Sequence, residues 1–274
     1  MSQYQLIALD MDGTLLNRKK EITPGCREAI EKALAAGKHV VLSTGRCRPE
    51  LSAYREQIPG LRYVNCTSGA MVYDFQEQRE LYTNRIEPEL VKELFRLARK
   101  EDAMLHILDE KSLEQTNQLA RIELFGMGPY KELHASVVEP HDDLYGFYMA
   151  NPFPVEKVNL YHRSMESRER TKERIRTSDL PLEMVDAENS SLEITAKGVD
   201  KGVGLTMLCE ALQIPIAATI AVGDADNDIR VLETAGLAVA MGNAADHIKA
   251  ISDVTVADCE HDGCAEAIYQ YLLG

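Results

Sequence analysis

Two aspartates separated by one residue follow a short apolar run near the start of the chain, Leu6-Ile7-Ala8-Leu9-Asp10-Met11-Asp12-Gly13-Thr14. The apolar run predicts a buried strand of a parallel sheet, and in an extended chain Asp10 and Asp12 point to the same side. Burying carboxylates at the end of a core strand is costly unless a cation offsets the desolvation. Mg²⁺, which prefers oxygen ligands, fits this pair. An Asp-Gly turn explains Asp12 equally well but leaves Asp10 unexplained.

Comparable polar tips occur at three later points of the chain. Thr44-Gly45-Arg46 follows an apolar run at 39–43, Lys201 opens a helical segment, and Gly223-Asp224-Ala225-Asp226-Asn227-Asp228 follows the run 219–222. The acids of the last tip are metal-ligand types, whereas the threonine and lysine are suited to hold phosphoryl oxygens. Each tip alone also fits an ordinary loop, solvated lysine or helix cap. The prediction of one shared site therefore depends on their common placement.

The elements that must position these tips alternate as strand, helix and strand in both terminal parts of the chain. Thr23 is a candidate N-cap with Pro24 at the first helical position, and Gly37 ends that helix. A parallel crossover of this kind is right-handed. It brings the strand tips to the carboxyl edge of the sheet, where open α/β folds bind ligands. We therefore predict an α/β fold whose core is a Rossmann-like doubly wound parallel sheet.

The strand–helix rhythm is lost in the middle of the chain and returns near its end. Residues 84–187 mix helices and strands without regular alternation, and a long polar, poorly periodic stretch extends to Pro154. We predict an inserted α+β cap domain at 84–187, with the core built from 1–83 and 188–274.

Composition limits the kinds of partner. The 274 residues include 44 acidic and 30 basic side chains, for a formal charge of −14. Surfaces for nucleic acid or anionic membranes need basic patches, so we predict neither partner. The six scattered cysteines form no disulfide framework, and the sequence shows no signal peptide or membrane-length apolar run. We predict a cytoplasmic protein with a small-molecule partner, and leave open whether it is a monomer or a homodimer.

Five motifs occur in a diagnostic order along nearly the whole chain: Asp10-Met11-Asp12-Gly13-Thr14, Thr44-Gly45-Arg46, Gly198-Val199-Asp200-Lys201-Gly202, the segment 223–228, and Ala240-Met241-Gly242-Asn243-Ala244. As a set they resemble the Cof-type phosphatases of the haloacid dehalogenase superfamily with an α/β cap of the C2B type. The YidA-like sugar-phosphate phosphatases are especially similar. The resemblance is weakest between residues 110 and 155, within the cap.

The resemblance implies a mechanism and a set of roles. Asp10 attacks phosphorus and forms an aspartyl-phosphate, while Asp12 protonates the leaving alcohol and then deprotonates the attacking water. Mg²⁺ is implied between Asp10, the backbone carbonyl of Asp12 and Asp224, with Asp228 close by. The implied substrate-binding residues are Thr44, Gly45, Arg46, Lys201 and Asn227. These roles define a Mg²⁺-dependent phosphatase of small phosphorylated metabolites, with sugar phosphates as the expected substrates.

One departure and two alternatives accompany this prediction. Family members usually show Asn-Gly-Ala where this chain has Ser68-Gly69-Ala70, which affects a contact near the mouth of the site. A sugar phosphomutase of the same superfamily would pass the phosphoryl group to a second hydroxyl instead of to water. A phosphorylatable regulatory module would also use a strand-end aspartate with Mg²⁺. Asp12 and the cap at 84–187 argue against the module.

Overall fold

The protein is described by a computed structural model covering residues 2–187 and 190–274, and it divides into two units. The first unit comprises the chain up to Gly45 together with Leu51–Thr83 and Asp200–Gly274, and the second comprises Arg46–Glu50 and Asn84–Val199.

The described residues form strands and helices that we number separately in chain order. The strands are β1 (Leu6–Leu9), β2 (His39–Ser43), β3 (Tyr63–Cys66), β4 (Met71–Asp74), β5 (Arg79–Thr83), β6 (Met104–Leu108), β7 (Ser112–Gln115), β8 (Val138–His141), β9 (Lys157–Tyr161), β10 (Leu182–Asp186), β11 (Ser191–Ala196), β12 (Thr219–Gly223), β13 (Leu237–Ala240) and β14 (Val254–Thr255). The α-helices are α1 (Pro24–Ala35), α2 (Ser52–Gln57), α3 (Pro88–Glu101), α4 (Thr116–Leu119), α5 (Lys131–Val137), α6 (Leu144–Ala150), α7 (Met165–Thr177), α8 (Lys201–Leu212), α9 (Ile229–Thr234), α10 (Asp246–Ile251) and α11 (Gly263–Ala267).

The first unit is built on an eight-stranded sheet in the order β14-β13-β12-β1-β2-β3-β4-β5. The strands from β14 to β3 are parallel, and β4 and β5 add an antiparallel hairpin at one edge. Core residues cover both faces: Ile7 and Leu9 pack in one cluster, and Leu6 and Ala8 in the other. Because both faces of β1 are buried, its sequence is continuously apolar. The predicted doubly wound α/β fold is confirmed.

Two helix starts explain how the chain places its polar tips. The Oγ1 of Thr23 accepts a hydrogen bond from the backbone N–H of Cys26 at 3.3 Å, so α1 begins at Pro24 as predicted. The carboxylate of Asp200 accepts from the N–H of Val203 at 2.9 Å. This cap makes Lys201 the first residue of α8.

The second unit is built on a six-stranded sheet in the order β10-β11-β9-β6-β7-β8. Its neighbours are antiparallel except β7 and β8, which are parallel. The polar, poorly periodic stretch that extends to Pro154 contains β7, α4, α5, β8 and α6. Strand β11 pairs with β9 and β10 in this sheet, although it follows the predicted boundary at residue 188. The domain boundaries 1–83, 84–187 and 188–274 remain a proposal.

All six cysteines are free and buried. Within residues 2–187 and 190–274, no helix is both long and apolar enough to cross a membrane.

Candidate active site

The site of the first unit begins where β1 and β12 end side by side. The two strands pair in parallel register, with Leu9 beside Val222, and the N–H of Asp10 donates to the carbonyl of Val222 at 3.0 Å. Asp10 therefore leaves the sheet next to Gly223 and Asp224. Its side chain stays buried, with 6% of the residue surface exposed.

Lys201 lies between two buried carboxylates. Its Nζ donates to Asp10 Oδ1 at 2.6 Å and to Asp228 Oδ1 at 2.7 Å, and both Lys201 and Asp228 are at most 1% exposed. The second oxygen of Asp228 accepts hydrogen bonds from the backbone N–H groups of Asp224 and Ala225, at 3.0 and 3.2 Å. Asp228 therefore both fixes the lysine and orders the turn after β12.

Asp224 is held by side chains from two other segments. The hydroxyl of Thr14 donates to its Oδ1 at 2.7 Å, and the amide of Asn243 is 3.3 Å from its Oδ2 and donates to the carbonyl of Gly13 at 2.8 Å. Gly13 has φ +90°, and a Cβ there would lie 2.5 Å from Asp224 Oδ2. Only glycine lets the backbone pass this close to the carboxylate in that conformation.

The electrostatics of this cluster show an excess of negative charge. Burial, with help from Asp228, raises the pKa of Asp10 well above its usual value. Burial also raises the pKa of Asp224 to about 6, although its bond from Thr14 opposes the rise. Burial alone would lower the pKa of Lys201, but the carboxylates of Asp10 and Asp228 outweigh it and raise that pKa. The lysine therefore keeps its proton and balances one carboxylate.

The donor set fits a hard divalent cation. One oxygen from each of Asp10, Asp224 and Asp228 lies within 4.8 Å of the others. Three carboxylates against the single ammonium of Lys201 leave the cluster net negative, and oxygen ligands of this kind suit Mg²⁺. The side chain of Asp12 is outside this group of three. Its Oδ1 accepts from Lys20 Nζ at 2.7 Å, and it is 27% exposed.

Thr44 and Gly45 belong to the same unit. Thr44 is 1% exposed; its N–H donates to the carbonyl of Asn65 at 2.8 Å, and its carbonyl accepts from the N–H of Ser68 at 3.0 Å. The side-chain amide of Asn65 donates to Ser43 Oγ at 3.1 Å and to the carbonyl of Lys201 at 2.8 Å. Asn65 thus connects the ends of β2 and β3 to the start of α8.

Two further predicted residues have different surroundings. Asn227 lies in the turn after Asp224, and its Oδ1 is buried without a hydrogen-bond partner among the described residues. Arg46 belongs to the second unit, where it is 7% exposed and its charge lowers the pKa of Glu50. Burial outweighs that effect and raises the Glu50 pKa overall.

Comparison with known proteins then identifies the family. A family model for haloacid dehalogenase-like hydrolases matches residues 7–268. The chain belongs to this family. It is therefore a hydrolase of the haloacid dehalogenase type, and the resemblance seen in the motifs is confirmed.

The alignments with individual relatives cover different shares of those relatives' lengths. The chain is 29% identical to the chloroplastic endoribonuclease YBEY of Arabidopsis thaliana over 99% of this chain, but it spans only 47% of that relative. It is 27% identical to the 5-amino-6-(5-phospho-D-ribitylamino)uracil phosphatase YcsE of Bacillus subtilis, covering 98% of this chain and 96% of that one. A solved haloacid dehalogenase-like hydrolase from Bacillus subtilis matches with a TM-score of 0.85 and 26% identity, over 97% of this chain and 99% of that one.

Three residues that position this site were not assigned roles from the sequence: Thr14, Asn65 and Asn243. Thr14 and Asn243 lie within the family motifs, and the structure shows both contacting Asp224. Asn65 could have been found as the one amide in an otherwise apolar strand, Tyr63–Cys66. A buried amide needs hydrogen-bond partners, and these are supplied by Ser43 and Lys201.

The departure at Ser68 also has a local structural context. Ser68 has φ +59°, a left-handed conformation in which asparagine is several-fold enriched over most residues. The backbone N–H of Ser68 still donates to the carbonyl of Thr44, so the loop keeps this bond without an asparagine.

Proposed function

We propose that the protein is a Mg²⁺-dependent phosphatase of small phosphorylated metabolites in the cytoplasm, with sugar phosphates as its substrate class. The observation that carries the proposal is the placement of Asp10. Its buried carboxylate lies 2.6 Å from the ammonium of Lys201 and forms a three-carboxylate group with Asp224 and Asp228. A nucleophilic carboxylate can approach a phosphate dianion only where such positive charge is provided.

The proposed reaction has two displacements at phosphorus. A carboxylate oxygen of Asp10 forms a bond to phosphorus while the bond from phosphorus to the alcohol oxygen breaks, and Asp12 gives its proton to that oxygen. Asp12 then takes a proton from water as the water oxygen bonds to phosphorus, and the bond to Asp10 breaks. Asp12 suits a residue that exchanges protons because its side chain is partly exposed and stands outside the buried group.

The remaining site residues are assigned to binding. Thr44, Gly45, Lys201 and Asn227 are proposed to hold the phosphoryl oxygens, and Arg46 to contact the substrate. Asp10, Asp224, the carbonyl of Asp12 and, close by, Asp228 would hold Mg²⁺. When bound, the cation would neutralise the charge that builds up on the phosphoryl oxygens.

The substrate class draws support from the site and from a relative. The name of the YcsE relative specifies a phosphate carried on a ribityl chain, which is a polyol phosphate. Among the described residues, the buried cation that pairs with the three-carboxylate group is the ammonium of Lys201 and not a cluster of arginines. A single positive charge matches one phosphoryl group better than a polyanion.

The first experiment is a phosphate-release screen over hexose, pentose and polyol phosphates, with Mg²⁺ and with a chelator. We expect release that requires Mg²⁺. Hexose 1-phosphate is included because conversion to the 6-phosphate without release of phosphate would identify a phosphomutase. A stable phosphoprotein without turnover would indicate the regulatory module instead.

Two substitutions test the assignment of the nucleophile. Asp10→Asn removes the attacking carboxylate but keeps the shape of the side chain, and we expect activity to fall to background. Asp226→Asn is the matched control, because Asp226 lies two residues after Asp224 but is exposed and pairs with His247 at 2.5 Å. We expect it to keep near wild-type activity. Equal activity of wild type and Asp10→Asn would refute the covalent mechanism.

A further inference from the structure

Three buried side chains of metal-ligating types meet in the second unit. His106 lies on β6 directly opposite Glu114 on the antiparallel strand β7, and His134 comes from α5. Glu114 is 0% exposed, His106 1% and His134 4%. One donor atom from each lies within 4.8 Å of the other two.

The distances within this cluster are short enough for one ion to bind all three side chains. Oε1 of Glu114 lies 2.8 Å from Nδ1 of His134 and 3.3 Å from Nδ1 of His106. Two ligand atoms each about 2.05 Å from a tetrahedral Zn²⁺ are about 3.3 Å apart. The hydroxyl of Tyr161 lies 3.0 Å from the same Nδ1 of His106, so an additional oxygen donor is within reach.

The carboxylate of Glu114 is the group that most needs a partner. Both of its oxygens and the Nδ1 of His134 are buried without an aligned hydrogen-bond partner among the described residues, although Oε1 and that Nδ1 lie 2.8 Å apart. A fully buried carboxylate without hydrogen bonds is strongly disfavoured. A cation between Glu114 and the two imidazoles would supply the partner that Glu114 and His134 lack.

The ring of His106 is already oriented for such a role. Its Nε2 lies 2.7 Å from the hydroxyl of Ser112. The tautomer that donates Nε2–H to Ser112 leaves a lone pair on Nδ1, which lies 3.0 Å from the hydroxyl of Tyr161 and 3.3 Å from Oε1 of Glu114. Metal-bound histidines are commonly fixed in this way through their second nitrogen.

We propose that His106, Glu114 and His134 form a binding site for a first-row transition-metal dication, with Zn²⁺ as the best match. Two imidazoles and one carboxylate are a known zinc donor set. Nitrogen donors disfavour Mg²⁺, which takes oxygen ligands. The site joins the β6–β7 hairpin to α5 and is distinct in chemistry from the all-carboxylate group of the first unit.

The experiment titrates chelator-treated full-length protein with Zn²⁺ in excess Mg²⁺. The Asp224→Asn background weakens the carboxylate group as a competing site. We expect one Zn²⁺ per chain and a higher thermal midpoint with zinc. Glu114→Gln, which keeps the side-chain shape, should weaken zinc affinity by at least about 100-fold, and Ser112→Ala by about 10- to 100-fold. His247→Gln is the control, since His247 is exposed and pairs with Asp226, and it should bind zinc like its parent.

Substitution with Co²⁺ keeps the proposal testable if Glu114→Gln does not fold. Co²⁺ held tetrahedrally by two imidazoles absorbs strongly in the visible range, and we expect this absorption from the Asp224→Asn protein. Failure to retain one Zn²⁺ per chain, weak octahedral-type Co²⁺ absorption, or equal affinity in Glu114→Gln and His247→Gln would overturn the site and leave a metal-free buried His–Glu pair.

Discussion

Replacing Lys201 by methionine tests whether the carboxylates of the first unit are held together by this one ammonium. Methionine fills similar space but carries no charge. The substitution would leave Asp10 and Asp228 facing each other across the position of the lysine nitrogen, which is now 2.6 and 2.7 Å from them. Neither acid can be rehydrated without opening the structure, because Asp10 is 6% exposed and Asp228 0%.

The expected size of the effect follows from these distances and from burial. At an effective dielectric constant of about 20, each contact is worth about 6 kcal/mol before desolvation. Desolvation of the three charges cancels most of this. Removing one partner of a buried pair typically costs about 3–5 kcal/mol, because a buried charge is left unpaired. We expect Lys201→Met to lower the free energy of unfolding of the first unit by that amount in the absence of divalent cations.

The pH dependence of the stability lost in Lys201→Met is a second, independent test. The pKa of Asp10 is already raised by burial and by Asp228, and loss of Lys201 raises it further. A carboxyl group whose pKa is higher in the folded than in the unfolded state favours folding at low pH, and this advantage is lost as pH rises through the folded pKa. The penalty of Lys201→Met should therefore grow as pH rises through the raised pKa of Asp10.

The assay must report on the first unit separately. The chain has no tryptophan, so we would follow native-state hydrogen exchange of peptides from β1 and β12, with far-ultraviolet circular dichroism as the global measure. Lys20→Met is the control: Lys20 pairs with Asp12 at 2.7 Å but is 39% exposed, and an exposed pair is worth less than about 1 kcal/mol. Equal losses for the two variants, or a penalty that shrinks with rising pH, would refute the reasoning.

Two further substitutions test other parts of the chain. Gly69→Ala should destabilise the first unit far more than Gly37→Ala. Both glycines have positive φ (+98° and +75°), but a Cβ at Gly69 would lie 1.9 Å from the carbonyl oxygen of Asp200, whereas a Cβ at Gly37 would meet nothing within 4 Å. Thermal midpoints measure the difference, and equal shifts would contradict it. Burial lowers the pKa of His162 to about 4, so its neutral form adds stability that is present above its unfolded pKa and declines as pH falls from 6.5 toward 4. By about pH 5 the free energy of unfolding should have fallen by about 2 kcal/mol at most from this cause. His162→Asn can keep the bond to Ser167 but does not titrate, so its free energy of unfolding, measured by urea titration at each pH, should depend less on pH.

Much of the first unit could be predicted because its strands are buried on both faces. The residues of β1 are at most 1% exposed, and a strand of this kind must be apolar throughout. A polar residue at its end therefore stands out. The α1 start was also predictable, since Thr23 and Pro24 act through local geometry alone.

The second unit gave a weaker signal for a physical reason. One face of its sheet carries polar side chains at the core positions, including Ser112, Glu114 and His106, which are all at most 1% exposed. A buried polar face removes the alternation of apolar and polar residues by which strands are recognised. Strand β8 contains Pro140, which is tolerated because β8 is the edge of the sheet. Proline nevertheless weakens any prediction of a strand from sequence.

Asp10 and Asp12 lie only two residues apart, but the structure gives them different surroundings that fit their different proposed roles. Sequence reasoning places both on one side of an extended chain, as though they shared one environment. In the structure the strand has ended at Leu9, and Gly13 turns the chain at φ +90°. Asp10 remains buried against Lys201 while Asp12 pairs with the partly exposed Lys20. A buried carboxylate fixed by a cation suits a nucleophile, and a partly solvated one suits a group that exchanges protons with water. Their different burial, which spacing alone does not encode, therefore supports the proposed division of labour between them.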